Sequence, residues 1–157
     1  MPDPVPILEL ATAIVTALNA HTFSRSLTAV RAYQPSAKAD ELTTIRVSVV
    51  PKADDTVFNT RATDRNECQI DVAVQQRLPG NDTDALATRL AEADALMGLV
   101  DEIKKFLGRA SFAVGGLGTW KIIRRENSPI YDPAHWKDLS VFSSVVTFTL
   151  AGPRAAA

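Results

Sequence analysis

The stretch Glu67-Cys68-Gln69-Ile70-Asp71-Val72-Ala73-Val74-Gln75 decides the fold, because its side chains alternate between apolar and polar. In an extended chain, one face would carry the apolar side chains Cys68, Ile70, Val72 and Val74. The opposite face would carry the polar side chains Glu67, Gln69, Asp71 and Gln75. This period of two predicts a central strand of a sheet, with one face buried.

A second alternating stretch lies upstream, at residues 44–49, where Ile45, Val47 and Val49 share one face. It predicts a half-buried strand. The cluster that follows, residues 51–55, is typical of a turn. The β-favouring residues 56–58 would then return as the second arm of a hairpin. We expect the tip of that hairpin to be exposed and charged.

The N-terminal part predicts a helix and a short strand. Apolar side chains recur at helical spacing over residues 5–20, and Pro4 and Pro6 suit a first turn. Asn19 tolerates the left-handed backbone that often ends a helix. Residues 26–33 then favour a short strand closed by Pro35.

A longer helix is predicted in the middle of the chain. It follows a break at residues 79–82, and Asp82 or Thr83 would cap its first N–H groups. Gly108 would end it. The predicted buried stripe of this helix consists of Leu86, Leu90, Ala93, Met97, Val100 and Leu107.

The C-terminal part predicts two more strands. Residues 114–118 are rich in glycine and predict a flexible connection, and residues 120–123 predict a strand. Residues 132–136, Asp-Pro-Ala-His-Trp, predict a turn. The closing strand has the apolar side chains Phe142, Val146, Phe148 and Leu150 on one face.

Together these segments predict an α+β fold, in which a mainly antiparallel, mixed β-sheet packs against one long α-helix and an N-terminal helix. One long helix supports only a single parallel crossover, so most strand pairs should be antiparallel. Neither an internal repeat nor a linker divides the sequence. We therefore expect one domain over residues 1–157, with flexible ends at 1–4 and 152–157.

Composition narrows the classes of function. The 157 residues carry a formal net charge of −1, which disfavours tight binding to a phosphate backbone. A single cysteine excludes an internal disulfide. The N-terminus lacks the pattern of a signal peptide, and no apolar run approaches the roughly 20 residues that span a bilayer. These features predict a soluble protein made in the cytoplasm.

No pattern in the sequence predicts a catalytic or metal centre. The two histidines, His21 and His135, lie outside any metal-ligand spacing. A triad of His135, Asp132 and a serine would lack the Gly-x-Ser-x-Gly elbow that exposes a nucleophile. Cys68 occupies an inward strand position, which favours a core thiol over a reactive one. We expect no enzyme activity, no metal and no cofactor.

Two further motifs have ordinary structural interpretations. The glycines at residues 115–118 follow a helix and lack the Lys-Ser or Lys-Thr pair of a phosphate loop, which favours a hinge. Lys121, Arg124 and Arg125 form a basic cluster that favours a solvated strand edge over a nucleic-acid contact. The acidic pair Asp54 and Asp55 fits either a merely soluble turn or an interaction arm.

The order of segments resembles small proteins encoded among phage and prophage head–tail genes, and the match spans nearly the whole chain. The segments that carry the resemblance are the N-terminal helix, Phe23-Ser24, residues 28–33, 45–51, 69–75, 99–103, Pro129-Ile130-Tyr131 and residues 142–148. The closest functional analogy is the siphophage tail terminator. That protein is a small α/β subunit of a six-membered ring on the finished tail tube.

This resemblance implies a structural virion protein that is assembled in the host cytoplasm and acts in the tail and neck. It would form a hexameric ring, cap the tail tube, end tube polymerisation and form part of the head–tail joint. Its implied partners are other copies of itself, the tail-tube protein and a head-completion or adaptor protein. DNA would pass through the lumen without specific binding.

An assembly interface is predicted on the charged hairpin and the arginines beyond it. The candidate residues are Lys52, Asp54, Asp55, Phe58, Arg61 and Arg65. The sequence is also compatible with two alternatives to the terminator. One is a head-closure or adaptor protein of the neck, and the other is a small enzyme.

Overall fold

The computed structural model describes residues 5–35, 42–58, 64–78, 86–114 and 118–153. These residues form three helices: α1 (Pro6–Ala20), α2 (Leu86–Arg109) and α3 (Pro133–Leu139). They also form six strands: β1 (Thr28–Arg31), β2 (Arg46–Phe58), β3 (Asp64–Arg77), β4 (Ser111–Val114), β5 (Gly118–Glu126) and β6 (Val141–Pro153).

One mixed sheet contains all six strands, in the order β1-β2-β3-β6-β5-β4. Only the β1–β2 pair is parallel, and the other four pairs are antiparallel. The predicted α+β class and the mainly antiparallel sheet are therefore confirmed. The predicted central strand is confirmed as well, because β3 pairs with β2 on one side and β6 on the other.

Both long helices lie on one face of the sheet, where the core is. Helix α2 contacts β5 and β6, whereas α1 contacts β1, β2, β3 and also β4. Since β1 and β4 are the two edge strands, the sheet must curve around α1. The apolar side chains Cys68, Ile70, Val72 and Val74 of β3 are all fully buried on this face, as predicted. No described helix is long and apolar enough to cross a membrane.

Helix α1 begins at Pro6, where the missing N–H costs little, and it buries Ile7, Leu10, Ala11, Ile14 and Leu18. The predicted role of Asn19 as a left-handed cap is wrong. The helix ends at His21 in extended backbone, with its N–H donated to the Ala17 carbonyl. The Asn19 side chain instead donates to the Ala29 carbonyl and accepts from the Ala29 N–H, which ties α1 to β1.

The predicted turn at residues 51–55 is also wrong, because β2 continues through it to Phe58. A β-bulge between Pro51 and Ala53 absorbs the irregularity. β3 supplies a partner along this whole length, so sheet pairing overrides the local turn preference. Residues 56–58 are the end of β2, not a returning arm, and they pair with residues 64–66. Residues 59–63, between β2 and β3 in the sequence, lie outside the described residues.

The long helix α2 departs from the prediction in its stripe and its end. Leu90 is 49% exposed, whereas Leu96, Leu99 and Ile103 are buried and were not predicted. The helix runs through Gly108 to Arg109. The proposed caps Asp82 and Thr83 lie outside the described residues, and so does the centre of the glycine connection at 115–117.

Two short elements were not predicted. β4 follows α2 directly in the chain, and it pairs with β5 in an antiparallel hairpin. The segment predicted as a turn at 132–136 is the start of α3, where the Asp132 carboxylate accepts from the backbone N–H groups of Ala134 and His135. Gln75 was expected to face solvent, yet it is 1% exposed and donates to the Ser143 hydroxyl across the β3–β6 pair.

Candidate assembly surface

Five of the six predicted interface residues lie along β2 and β3. Lys52, Asp54, Asp55 and Phe58 belong to β2. Arg65 belongs to β3, where it pairs with Val57. The side chains of Asp55, Phe58 and Arg65 and all of Arg61 lie outside what the structure describes. The structure therefore brings five of the six candidates onto one antiparallel pair of strands.

Lys52 lies at the β2 bulge on the face of the sheet opposite α1 and α2. Its side chain is 49% exposed, and its Nζ lies 3.7 Å from the Oδ1 of Asp71. The same Asp71 oxygen accepts a 2.6 Å hydrogen bond from the Thr147 hydroxyl of β6. A half-exposed ion pair of this length contributes little to stability. Lys52 is consequently available for a contact with another molecule.

Asp54 lies beyond the bulge and faces the helix side of the sheet. The Cys68 thiol donates to its Oδ1 over 3.6 Å. A shallow cleft of about 310 Å³ separates this part of β2 from the start of α1, and Val5, Tyr33 and Pro51 contribute to its lining. Tyr33 is 73% exposed. This side of β2 therefore combines a carboxylate with exposed apolar surface.

A larger polar cleft of about 420 Å³ lies on the opposite face of the sheet, where Lys52 and Asp71 form one of its walls. The segment before α3 forms another wall. The remaining lining residues come from β5, β6 and that segment: Glu126, Ser128, Pro129, Tyr131, Asp132, Ser143, Val145 and Thr147. The sequence prediction missed this cleft, although it placed Asp71 on the correct face.

Each carboxylate of this cleft already has a structural contact. Asp71 accepts from Thr147, Asp132 caps α3, and the Glu126 Oε1 lies 3.5 Å from the Arg124 guanidinium. The Asp71 contact joins β3 to β6, and the Asp132 contacts cap the first turn of α3.

The two histidines contact an aromatic ring and a carboxylate, respectively, and the cysteine is buried. The His21 ring stacks on Phe106 at 4.1 Å between ring centroids. The Nδ1 of His135 lies 3.7 Å from the Asp132 carboxylate, one turn along α3. Cys68 is fully buried, as predicted for a core thiol. Within the described ranges, no cluster of histidine, cysteine, aspartate and glutamate is arranged to hold a metal ion.

Two stretches of strand edge meet no partner strand among the described residues. β1 pairs only with residues 46–49 of β2. The outer side of residues 50–58, called here the β2 edge, therefore has no partner strand among the described residues. β4 pairs only with residues 118–121 of β5. The outer side of residues 122–126, called the β5 edge, likewise has no partner strand among the described residues. Unpaired edges expose N–H and C=O groups that another chain can bind.

No protein-family model matches the chain, and no curated protein is significantly similar to it.

Proposed function

We propose that the protein is a structural virion subunit that forms a hexameric ring on a phage or prophage tail tube. The ring ends tube polymerisation and forms part of the head–tail joint. The proposal starts from the resemblance to tail terminators. The segments that carry it form α1, β1, β2, β3, β6 and part of α2, which are the framework of the sheet and its helices.

One observation about the surface carries the proposal further. The face of the sheet turned away from α1 and α2 is polar and open around the 420 Å³ cleft, and two strand edges lack partners among the described residues. A ring subunit needs separate surfaces for its two neighbours and for the tube. An open sheet with two edges supplies such surfaces without any catalytic group.

The proposed mechanism is occupation of a growing end. Ring subunits bind the last tube ring and cover the surface on which further tube subunits would add. Their other side is then presented to the head-completion or adaptor protein. A net charge of −1 suits a lumen through which DNA passes without being held. The subunits associate weakly by themselves, because rings that closed in solution would not mark the end of a tube.

Reversing the charges of Asp54 and Asp55 tests this function. The variant Asp54→Lys with Asp55→Lys should fold normally, because Asp54 is exposed and exposed strand substitutions change stability little. Charge complementarity sets register and partner choice in polar interfaces, so docking should fail. In complemented infection, electron microscopy should show tails of abnormal length or tails without heads.

The matched control reverses two exposed carboxylates on α2, Asp94→Lys with Asp101→Lys, and changes the net charge equally. It should give normal virions. If the β2 variant also gives normal virions with normal tails, this part of β2 is not an assembly surface. Gene order provides a separate test, because a tail-tube gene directly downstream favours the terminator and a neighbouring portal gene favours a head-side adaptor.

A further inference from the structure

The β2 edge and the β5 edge lie at the same height in the sheet. Arg124 of the β5 edge pairs with Thr149, Thr149 pairs with Gln69, and Gln69 pairs with Ala53 of the β2 edge. The same tracing puts Glu126 level with Val50 through Thr147 and Asp71. A neighbouring molecule would therefore need no shift along the strand direction to bring one edge against the other.

The strand directions are compatible as well. Three antiparallel pairs, β2–β3, β3–β6 and β6–β5, separate the two edges, so β2 and β5 run in opposite directions. A second copy in the same orientation would place its β5 antiparallel to β2. Rotation about an axis along the strands preserves that orientation, and head-to-tail contacts close into a ring when the successive rotations add up to a full turn.

The net charges of the two edges are opposite in sign. The β2 edge carries Lys52, Asp54 and Asp55, one positive charge against two negative charges. The β5 edge carries Arg124, Arg125 and Glu126, two positive charges against one negative charge, and the Arg125 guanidinium donates to the Lys104 carbonyl of α2. At equal height Arg124 lies opposite Ala53 and Glu126 lies opposite Val50, so both flank Lys52 on the cleft face, whereas Asp54 faces the helix side, level with Ile122. Opposite charges on neighbouring strands stabilise the pair, whereas like charges destabilise it.

Exposed apolar side chains lie beside both edges. Val5 and Tyr33 flank the β2 edge at the 310 Å³ cleft. Ile123, which is 49% exposed, lies within the β5 edge at a second β-bulge. Contact between two copies would remove these side chains from water, which is favourable in proportion to the apolar area buried.

We propose that the β2 edge of one copy pairs with the β5 edge of a second copy, as an antiparallel, head-to-tail strand contact that repeats around the ring. This contact rests on the proposed ring function and names the surfaces that build it. Bulges, Pro51 and charged side chains on both edges oppose indiscriminate strand pairing. The resulting contact is selective and weak. A subunit that must not form rings before it binds the tube requires such a contact.

Engineered cysteines test the contact. Residues 53 and 124 of one molecule are separated by two intervening strands, or about 14 Å at the usual strand spacing, which exceeds the reach of a disulfide. The variant Ala53→Cys with Arg124→Cys should therefore form only intermolecular disulfides. Under slow oxidation at high protein concentration, it should give a ladder of covalent oligomers on a non-reducing gel.

Two single variants show the polarity of the contact. Ala53→Cys mixed with Arg124→Cys should give covalent dimers that contain one of each, whereas either variant alone should stay largely monomeric. The control pair Ala53→Cys with Asp94→Cys places the second thiol on the exposed side of α2 and should give at least several-fold less product. Cys68 is buried and can remain. Circular dichroism checks that every variant folds.

Each other outcome contradicts the contact. Absence of the ladder, equal yield in the control pair, or dimers formed by one single variant alone would overturn the head-to-tail pairing of these edges. The result is independent of the tail function. A ladder from a protein that does not bind tail tubes would support the strand contact and contradict the terminator function. Tube binding without a ladder would support the terminator function and contradict the strand contact.

Discussion

Gly152 and Trp120 lie opposite each other on β6 and β5, and the indole covers the glycine on the core side of the sheet. A Cβ built on Gly152 would overlap the ring of Trp120, which is fully buried. Gly152→Ala should lower the free energy of unfolding by about 1–3 kcal/mol, the usual cost of overpacking a core. Urea denaturation measures the change.

Gly98 supplies the matched control for that substitution. It lies in α2, and a Cβ there would meet no atom within 4 Å. Gly98→Ala should stabilise the protein by about 0.5–1 kcal/mol, because alanine is the better helix former. Equal effects of the two substitutions would show that the indole does not lie over Gly152.

Ile70 and Val72 provide a second test at the residue scale. Both are fully buried in β3. Replacing either one by Asp should destabilise the fold by several kcal/mol, because the substitution buries an unpaired charge. Gln69→Asp, on the opposite face, should cost far less. An unchanged melting temperature for Ile70→Asp would show that β3 is misplaced.

At the scale of elements, the Asn19 side chain joins α1 to the edge strand β1. Its two hydrogen bonds satisfy both backbone groups of Ala29, a residue that is itself buried. Asn19→Ala should cost about 1–3 kcal/mol, since it leaves buried backbone groups without a partner. Hydrogen exchange should then increase most in β1. Thr16→Ala, which removes an exposed hydroxyl of the same helix, is the control and should change little.

Elements with strong periodicity were predictable, and elements decided by long-range pairing were not. The alternation of β3 and the apolar stripe of α1 follow from local sequence, and both were predicted correctly. The turn predicted at residues 51–55 failed because local preference for a turn competes with pairing along β3, and tertiary context commonly overrides strand propensity. β4 is too short to show any period.

The polar cleft lay beyond prediction for a related reason. Lys52 and Asp71 are far apart in sequence, and they meet only because β2 and β3 pair in a specific register. Thr147 reaches the same carboxylate from β6. The alternation of β3 predicted the face on which Asp71 lies, but no local pattern specifies which strands become neighbours.

At the scale of the whole molecule, the sheet curves around α1 and keeps the 420 Å³ cleft and two strand edges open among the described residues. We propose that the chain acts by assembly, as the ring that ends a tail tube. A ring with this function sets the length of the tube. The direct test is therefore what happens to tails when the ring is missing.

Deletion of the gene, followed by electron microscopy of the particles produced, measures that consequence directly. We expect tail tubes of uncontrolled and excessive length that fail to join filled heads, with normal tails restored when the gene is supplied in trans. Normal virions with tails of normal length from the deletion strain would contradict the terminator function.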